Sequence, residues 1–215
     1  ARVNALAARE PVRVMPETFA LLEHAQQLSA QTGGAFDITM APLLHCWGLL
    51  GSNDGRMPTA EEIGAARSLC GAGLVELDRA NFTVRFVRAG VMLDLGAIGK
   101  GYAVDKAVEA LREAGVECAL FHAGTSTVFA IGTPPDAEAW KVAVDVPDVA
   151  APRQSAAMHT LDCGALPRRR YEIPLRDESL SVSAVSGKCF VADGRVLGHI
   201  IDPRRSEEHT SELQS

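Results

Sequence analysis

The sequence predicts an α+β protein: a mixed, largely antiparallel sheet with helices packed against it. Three observations predict it. Stretches of helical periodicity are interleaved with hairpin-like pairs of short strands, rather than alternating strictly with single strands. Turn residues such as Asn81 and Gly90 separate neighbouring apolar runs by gaps of hairpin size. With 215 residues, 47% of them hydrophobic and 22% charged, the chain can bury a substantial core as one large domain or two small ones.

The elements follow in order. A helix is predicted from about Pro16 to Gln31: proline suits a first helical position, Phe19, Leu22, Ala25 and Leu28 share one face, and Gly33-Gly34 stops it. The stretch "AFDITMAPLLHCWGLLGSNDGRMP" is apolar, punctuated by Gly and Pro, and too irregular to assign; a functional loop is one reading of it. A second helix begins at Thr59, which stands in capping-box spacing with Glu62, and ends near Gly71 or Gly73. The runs "LVELD", "FTVRFV" and "VMLDL" then predict an antiparallel meander. After a glycine-rich loop, Val104, Ala107, Val108 and Leu111 recur at helical spacing until Gly115, and "CALFH" reads as a strand. Further strands are expected at "WKVAVDV", "AAMHTL", "SLSVSAV" and "RVLGHII", while the basic "ALPRRRYEIP" reads as a solvated loop.

Charge and cysteine usage narrow the function classes. A net charge of -6 gives no basic footprint for nucleic acid, and no apolar stretch reaches the length that spans a bilayer. The 5 cysteines are odd in number and scattered without a CxxC, which signals neither a disulfide framework nor a zinc site and suits a reducing compartment slightly better. His24, His45, His122 and His159 lack metal-ligand spacing among themselves, and Trp47 and Trp140 read as core or pocket wall. The chain opens at Ala1 without an initiator Met or a signal-peptide pattern, so a targeting segment could have preceded it, and the compartment stays open. At the other end "RSEEHTSELQS" (Arg205 to Ser215) is polar and aperiodic, and resembles the in-frame translation of a sequencing-library adapter. Residues 1–204 are therefore expected to be the domain and 205–215 a non-native tail.

Chemistry is concentrated in "LDLGAIGKGYAVDKAVEALREAGV", where Gly96, Gly99, Gly101 and Lys100 lie between a strand-like and a helix-like run. The loop is not a Walker loop, because Asp94 stands where the first Gly is required and Gly101 where Ser or Thr would bind magnesium. Its glycines also run in the reverse of the dinucleotide-binding spacing. Glycines still let backbone approach a ligand, and a helix N-terminus still presents N–H groups to an anion. Loop chemistry alone leaves two readings open: an anion site, or a strand-to-helix turn with a solvated lysine.

This stretch resembles the signature region of the FAD:protein FMN transferases, the ApbE family, in which an acidic residue, a Gly-rich loop and a Gly-Tyr-Ala-x-Asp helix start follow one another. "TGGAFDITMAPLLHCWG" is similar to the family's Gly-x-Phe-Asp segment, and "SGKCFVADGRVLGHIIDPR" to its Ser-Gly segment, Asp-Gly hairpin and His-Ile-Ile-Asp-Pro. "RVNALAAREPVRVMPETFALL" fits the region upstream. The matches occur in the family's order and cover nearly the whole chain.

The resemblance implies an α+β, T-fold-related domain that binds FAD in a cleft. It also implies magnesium-dependent transfer of FMN to a threonine hydroxyl of a target flavoprotein, with AMP released; some relatives hydrolyse FAD instead, and the alternative reading is an FAD-binding module or FAD pyrophosphatase without protein transfer. Carried over residue by residue, the backbone carbonyl of Ala97 faces the metal, Gly96, Ala97, Gly99 and Lys100 run along the FAD with Lys100 near its phosphates, and Ala35, Phe36 and Asp37 contact the flavin nucleotide. His199, Ile200 and Asp202 contact it from the last strand and turn. No residue is assigned as catalytic. By themselves Asp37 reads as a turn cap, Asp94 as a solvent-facing strand residue, His199 as a core histidine and Asp202-Pro203 as a common turn pair. By family the compartment is the bacterial periplasm or the cytoplasmic membrane surface, with the cytoplasm an alternative. Two departures bear on target choice and rate: Gly124-Thr125-Ser126 stands where many members have Gly-Gly-Asn or Gly-Gly-Asp, and Val185-Ser186-Gly187 where they have Thr-Ser-Gly. The family's side-chain metal ligands lie downstream of the Asp-Pro segment, so the chain as written is expected to be inert.

Overall fold

In chain order the computed structural model contains α1 (Arg2–Leu6), β1 (Val12–Arg13), α2 (Pro16–Gln31), α3 (Ala41–Cys46), α4 (Ala60–Arg67), β2 (Val75–Asp78), β3 (Thr83–Phe86), α5 (Gly99–Glu113), β4 (Ala119–Ala123), β5 (Thr127–Ile131), β6 (Trp140–Pro147), β7 (Arg168–Leu175), β8 (Ser179–Ser181), β9 (Cys189–Ala192) and β10 (Arg195–Gly198). The structure describes residues 2–50, 57–124, 126–147, 168–183, 189–192, 195–198 and 200–204, with backbone alone for β9, β10, Pro147 and Arg168. Every strand pairing among them is antiparallel, so the α+β expectation holds. The chain divides into two units: one runs to Ala97 and includes β9 and β10, the other begins at Ile98 and includes α5 through β8.

In the first unit, β3 lies between β1 and β2. The predicted hairpin of "LVELD" with "FTVRFV" is therefore present, but its third partner is β1, with Val12 opposite Val84. "VMLDL" is not a strand. Its backbone is held by a side chain and a loop instead: the Asn4 carboxamide donates to Leu93 O at 2.9 Å and accepts from Leu93 N at 2.8 Å, and Asp94 N donates to Ile38 O at 2.7 Å. An amide side chain carries the same donor and acceptor as a peptide group, so one asparagine can stand in for a ladder partner.

Helix α2 has its predicted bounds and buries Phe19, Leu21, Leu22, Ala25 and Ser29, with Phe19 packed edge-on to Phe82 at a centroid distance of 5.5 Å. Its stop is a Schellman motif: Gly33 N donates to Ala30 O at 3.2 Å and Gly34 N to Ser29 O at 2.8 Å, with Gly33 at φ +57°, a conformation glycine enters without steric penalty. Within the stretch too irregular to assign, α3 forms and sends Leu43 into a core with Met40, Trp47, Ala66 and Ile201, which settles Trp47 as a core residue. Helix α4 starts as predicted but ends at Arg67, short of Gly71, and a single 3₁₀ turn follows at Ala72–Leu74.

In the second unit α5 packs Val104 and Val108 on Ile131, against the sheet of order β4-β5-β8. Hairpin β6–β7 adds Leu175, Ile173, Val142 and Trp140 to a core with Val128 and Ala130. Here the solvated-loop reading of "ALPRRRYEIP" is corrected, since Arg168 onward is strand. The arginines are accommodated across the hairpin: Arg170 lies opposite Asp145 and makes two hydrogen bonds to its carboxylate at 2.9 and 3.3 Å, while Ile173 and Leu175 supply the buried face. Helix α5, β4, β6, β8 and β10 fall where their sequence runs place them; "AAMHTL" lies outside the described residues.

Candidate functional site

In the first unit, the Schellman turn delivers Ala35, Phe36 and Asp37 directly after α2, with Ala35 exposed and Phe36 and Asp37 half-buried. Thr32 Oγ1 accepts from Phe36 N at 3.1 Å, which continues the turn. Asp37 Oδ1 accepts from both Thr39 N and Thr39 Oγ1 at 2.7 Å, and Thr39 Oγ1, wholly buried, accepts from Gly71 N at 2.6 Å. Asp37 thus has the turn-capping bonds that its local sequence suggests, and Thr39 anchors that turn to the chain after α4. Sequence reasoning missed Thr39, although the Asp-x-Thr spacing of an Asx turn was its signal.

The bond from Asp94 N to Ile38 O brings the acidic residue of the glycine loop beside the Phe-Asp segment, two motifs 57 positions apart in sequence. Asp94 is not a solvent-facing strand residue: it is half-buried, and its Oδ1 accepts from Gly96 N at 3.0 Å, folding the loop over its own first glycine. Gly96 and Ala97 are exposed. Burial pushes the Cys70 thiol up to about 11, with a Leu43 backbone hydrogen bond opposing and the charge of Asp37 adding to the rise. Near the other end of this unit Ile200 is half-buried, and Asp202 accepts from Arg204 N at 2.9 Å and from its guanidinium at 3.0 Å through both oxygens. His199 lies outside the described residues.

In the second unit, α5 begins at Gly99 with Ile98 as N-cap, and no side chain caps it. The first intrahelical bond runs from Tyr102 N to Ile98 O at 3.0 Å, so the N–H groups of Gly99, Lys100 and Gly101 precede it. Lys100, exposed in this first turn, donates from Nζ to Ser126 Oγ at 2.6 Å. A positive side chain and the positive end of a 15-residue helix stand together here, features that suit an anion. A cleft of about 340 Å³ opens at the opposite end of α5, between Arg112, Glu117, Gly132 and Asp177. There Asp177 Oδ1 accepts from Gly132 N at 2.9 Å and from Arg112 at 3.4 Å, so the cleft's arginine already has a carboxylate partner.

Among the described residues no group of three or more His, Cys, Asp or Glu is gathered for a metal ion. Magnesium takes six oxygens in octahedral array, usually with one or two carboxylates. The carbonyl of Ala97, the ligand the resemblance implies, would supply one of these, and the described residues gather no carboxylate cluster beside it.

The family model described as "ApbE family" matches residues 1–215. The chain belongs to the ApbE family. Among its curated ApbE relatives, an FAD:protein FMN transferase of Klebsiella pneumoniae is 30% identical over 99% of this chain and 60% of its own length. One of Treponema pallidum is 31% identical over 94% of the chain and 55% of its own length. Among solved structures, the ApbE protein of Thermotoga maritima superposes with a TM-score of 0.76 at 30% identity, covering 96% of this chain and 61% of that one. The flavin transferase ApbE of Vibrio cholerae gives 0.77 at 26% identity, covering 96% and 60%. The chain thus spans less than two thirds of the ApbE proteins it matches, and within that span it has their mixed α and β fold.

Proposed function

We propose that this chain carries the FAD-binding part of an FAD:protein FMN transferase. The observation that carries the reading is the start of α5, a helix N-terminus without a side-chain cap, entered through a glycine loop and bearing Lys100 in its first turn. Unpaired N–H groups and an ammonium together suit a pyrophosphate. Gly96, Ala97, Gly99 and Lys100 are assigned to the dinucleotide, with Lys100 at its phosphates; Ala35, Phe36 and Asp37 are assigned to the flavin nucleotide, as are His199, Ile200 and Asp202. The resemblance supports these assignments, and membership of the family supports the reaction.

The finer reading is transfer of FMN to a threonine hydroxyl. The hydroxyl oxygen attacks the phosphorus on the FMN side of the pyrophosphate, the bond to the AMP oxygen breaks, AMP leaves, and the hydroxyl proton is lost. Magnesium would supply charge neutralisation of the pyrophosphate. A target flavoprotein with an acceptor threonine is the second partner. No helix among the described residues is long and apolar enough to cross a membrane, and the compartment proposed by family is the periplasm or the cytoplasmic membrane surface.

The test is a flavin-fluorescence titration of the chain with FAD, which should saturate at one FAD per chain. Absence of binding up to roughly 1 mM FAD, a bound below which specific recognition is lost, would remove the reading. In a chain extended to the length of its relatives, covalent FMN on the acceptor threonine supports transfer, whereas free FMN and AMP without the adduct mark a hydrolase.

A further inference from the structure

We propose that Ser126 is a positioning residue that holds the Lys100 ammonium in place for the FAD phosphates, an inference that rests on the FAD reading above. The Lys100 Nζ to Ser126 Oγ hydrogen bond, at 2.6 Å, joins the first turn of α5 to the turn between β4 and β5. Both ends of that bond are fixed from behind. On the helix side, Val104 and Val108 pack on Ile131. On the sheet side, Ser126 O accepts from Val182 N at 2.8 Å and from Ser181 Oγ at 3.4 Å, and the next residue, Thr127, is buried with its hydroxyl 3.3 Å from Ser181 Oγ. The serine hydroxyl therefore projects from a turn tied to a third strand, not from a free loop.

The choice of a hydroxyl has a chemical consequence. A free lysine side chain samples many rotamers, and ordering it opposes binding. An acceptor already in contact removes part of that cost before the ligand arrives. A carboxylate there would hold the amine equally well but would cancel its charge. Serine accepts one of the three ammonium hydrogens, leaves two for phosphate oxygens, and leaves the full positive charge in place.

The experiment is a double-mutant cycle on the 215-residue chain, read by FAD fluorescence titration. Ser126→Ala should weaken FAD binding by roughly three- to tenfold, the range of the ordering cost of one long side chain. Ser126→Thr should restore affinity, and Ser126→Asp should weaken it more than Ser126→Ala while flattening its salt dependence. In a Lys100→Ala background, Ser126→Ala should have no further effect. In the absence of FAD, Ser126→Ala should also speed reductive methylation of Lys100, measured peptide by peptide by mass spectrometry, with an unchanged melting temperature. Equal effects of Ser126→Ala with and without Lys100 would overturn the proposal, as would an unchanged methylation rate. If the unmutated chain binds no FAD, the functional reading falls, while the methylation rate still decides whether Ser126 holds the amine.

Discussion

Two helices of this protein begin in opposite ways. At α4 the start is closed: Thr59 Oγ1 accepts from Glu62 N at 3.2 Å and Glu62 Oε2 accepts from Thr59 N at 2.8 Å, a complete capping box. At α5 the cap position is Ile98, which has no polar side-chain atom, and the first turn carries two glycines and a lysine. The first arrangement satisfies two N–H groups at the helix start from within the chain, and the second has no side chain that does so. Helices α2 and α3 also start without a side-chain cap, each with a proline in its first turn, so what sets α5 apart is the pair of glycines and Lys100 in its first turn.

The largest effect expected from this contrast is at Lys100. Lys100→Ala should lower FAD affinity by roughly tenfold or more, as for loss of a charged hydrogen bond, with the melting temperature nearly unchanged because the side chain is exposed. Unchanged affinity in a fluorescence titration would break the comparison at its functional half. Asp37 sharpens it, because there a capping bond and a proposed FAD contact belong to one residue. Asp37→Asn retains an oxygen for the Thr39 bonds and should weaken FAD binding by several-fold without early melting, whereas Asp37→Ala should lose about 1 kcal/mol of stability as well. Early melting of Asp37→Asn with normal FAD binding would return this residue to a structural role alone.

Thr59→Ala addresses the other half. Removing the cap should destabilise the chain by about 1 kcal/mol in urea unfolding and leave FAD affinity unaltered. A change in FAD affinity of the same size would mean that the α4 start is not purely structural. The last effect, confined to high pH, is expected at Cys70, which follows α4. Its thiol is raised by burial from 9.0 to about 11, so above pH 9.0 the folded chain retains a proton that the unfolded chain loses. This contribution is whole below pH 9.0 and fades as the pH rises through about 11. Iodoacetamide labelling of Cys70 followed by mass spectrometry should accelerate near pH 11; acceleration near pH 9 would show that the segment after α4 is open to solvent.

Local signals in the sequence were read correctly where the cause was itself local. The Pro16 start, the Gly33-Gly34 stop, the Thr59–Glu62 box and the 3.6-residue spacing of Val104 and Val108 each depend on residues within a few positions. What could not be read depends on distant partners. "VMLDL" has the alternation of a strand, yet Asn4, 89 positions away, occupies the ladder's place. "RRRYEIP" looks like a solvated loop until Asp145 is placed opposite Arg170. The same division applies to the site: the glycine loop and Lys100 were visible as a motif, whereas the Thr39 link to Gly71 and the Ser126 contact with Lys100 join segments that no local pattern connects.

The asparagine that substitutes for a strand also bears on the order of synthesis. The partners described for Leu93, Asp94 and Gly96 are Asn4, Ile38 and Asp94 itself, all of which precede the loop or belong to it. A ribosome therefore releases every one of these groups before it releases α5, and domains generally fold as their N-terminal parts emerge. The approach to the glycine loop can take its shape while the helix that completes it is still in the exit tunnel. On a nascent chain halted about 40 residues beyond Gly96, enough to clear the tunnel, Asn4→Ala should already raise protease cleavage within the 91–95 run.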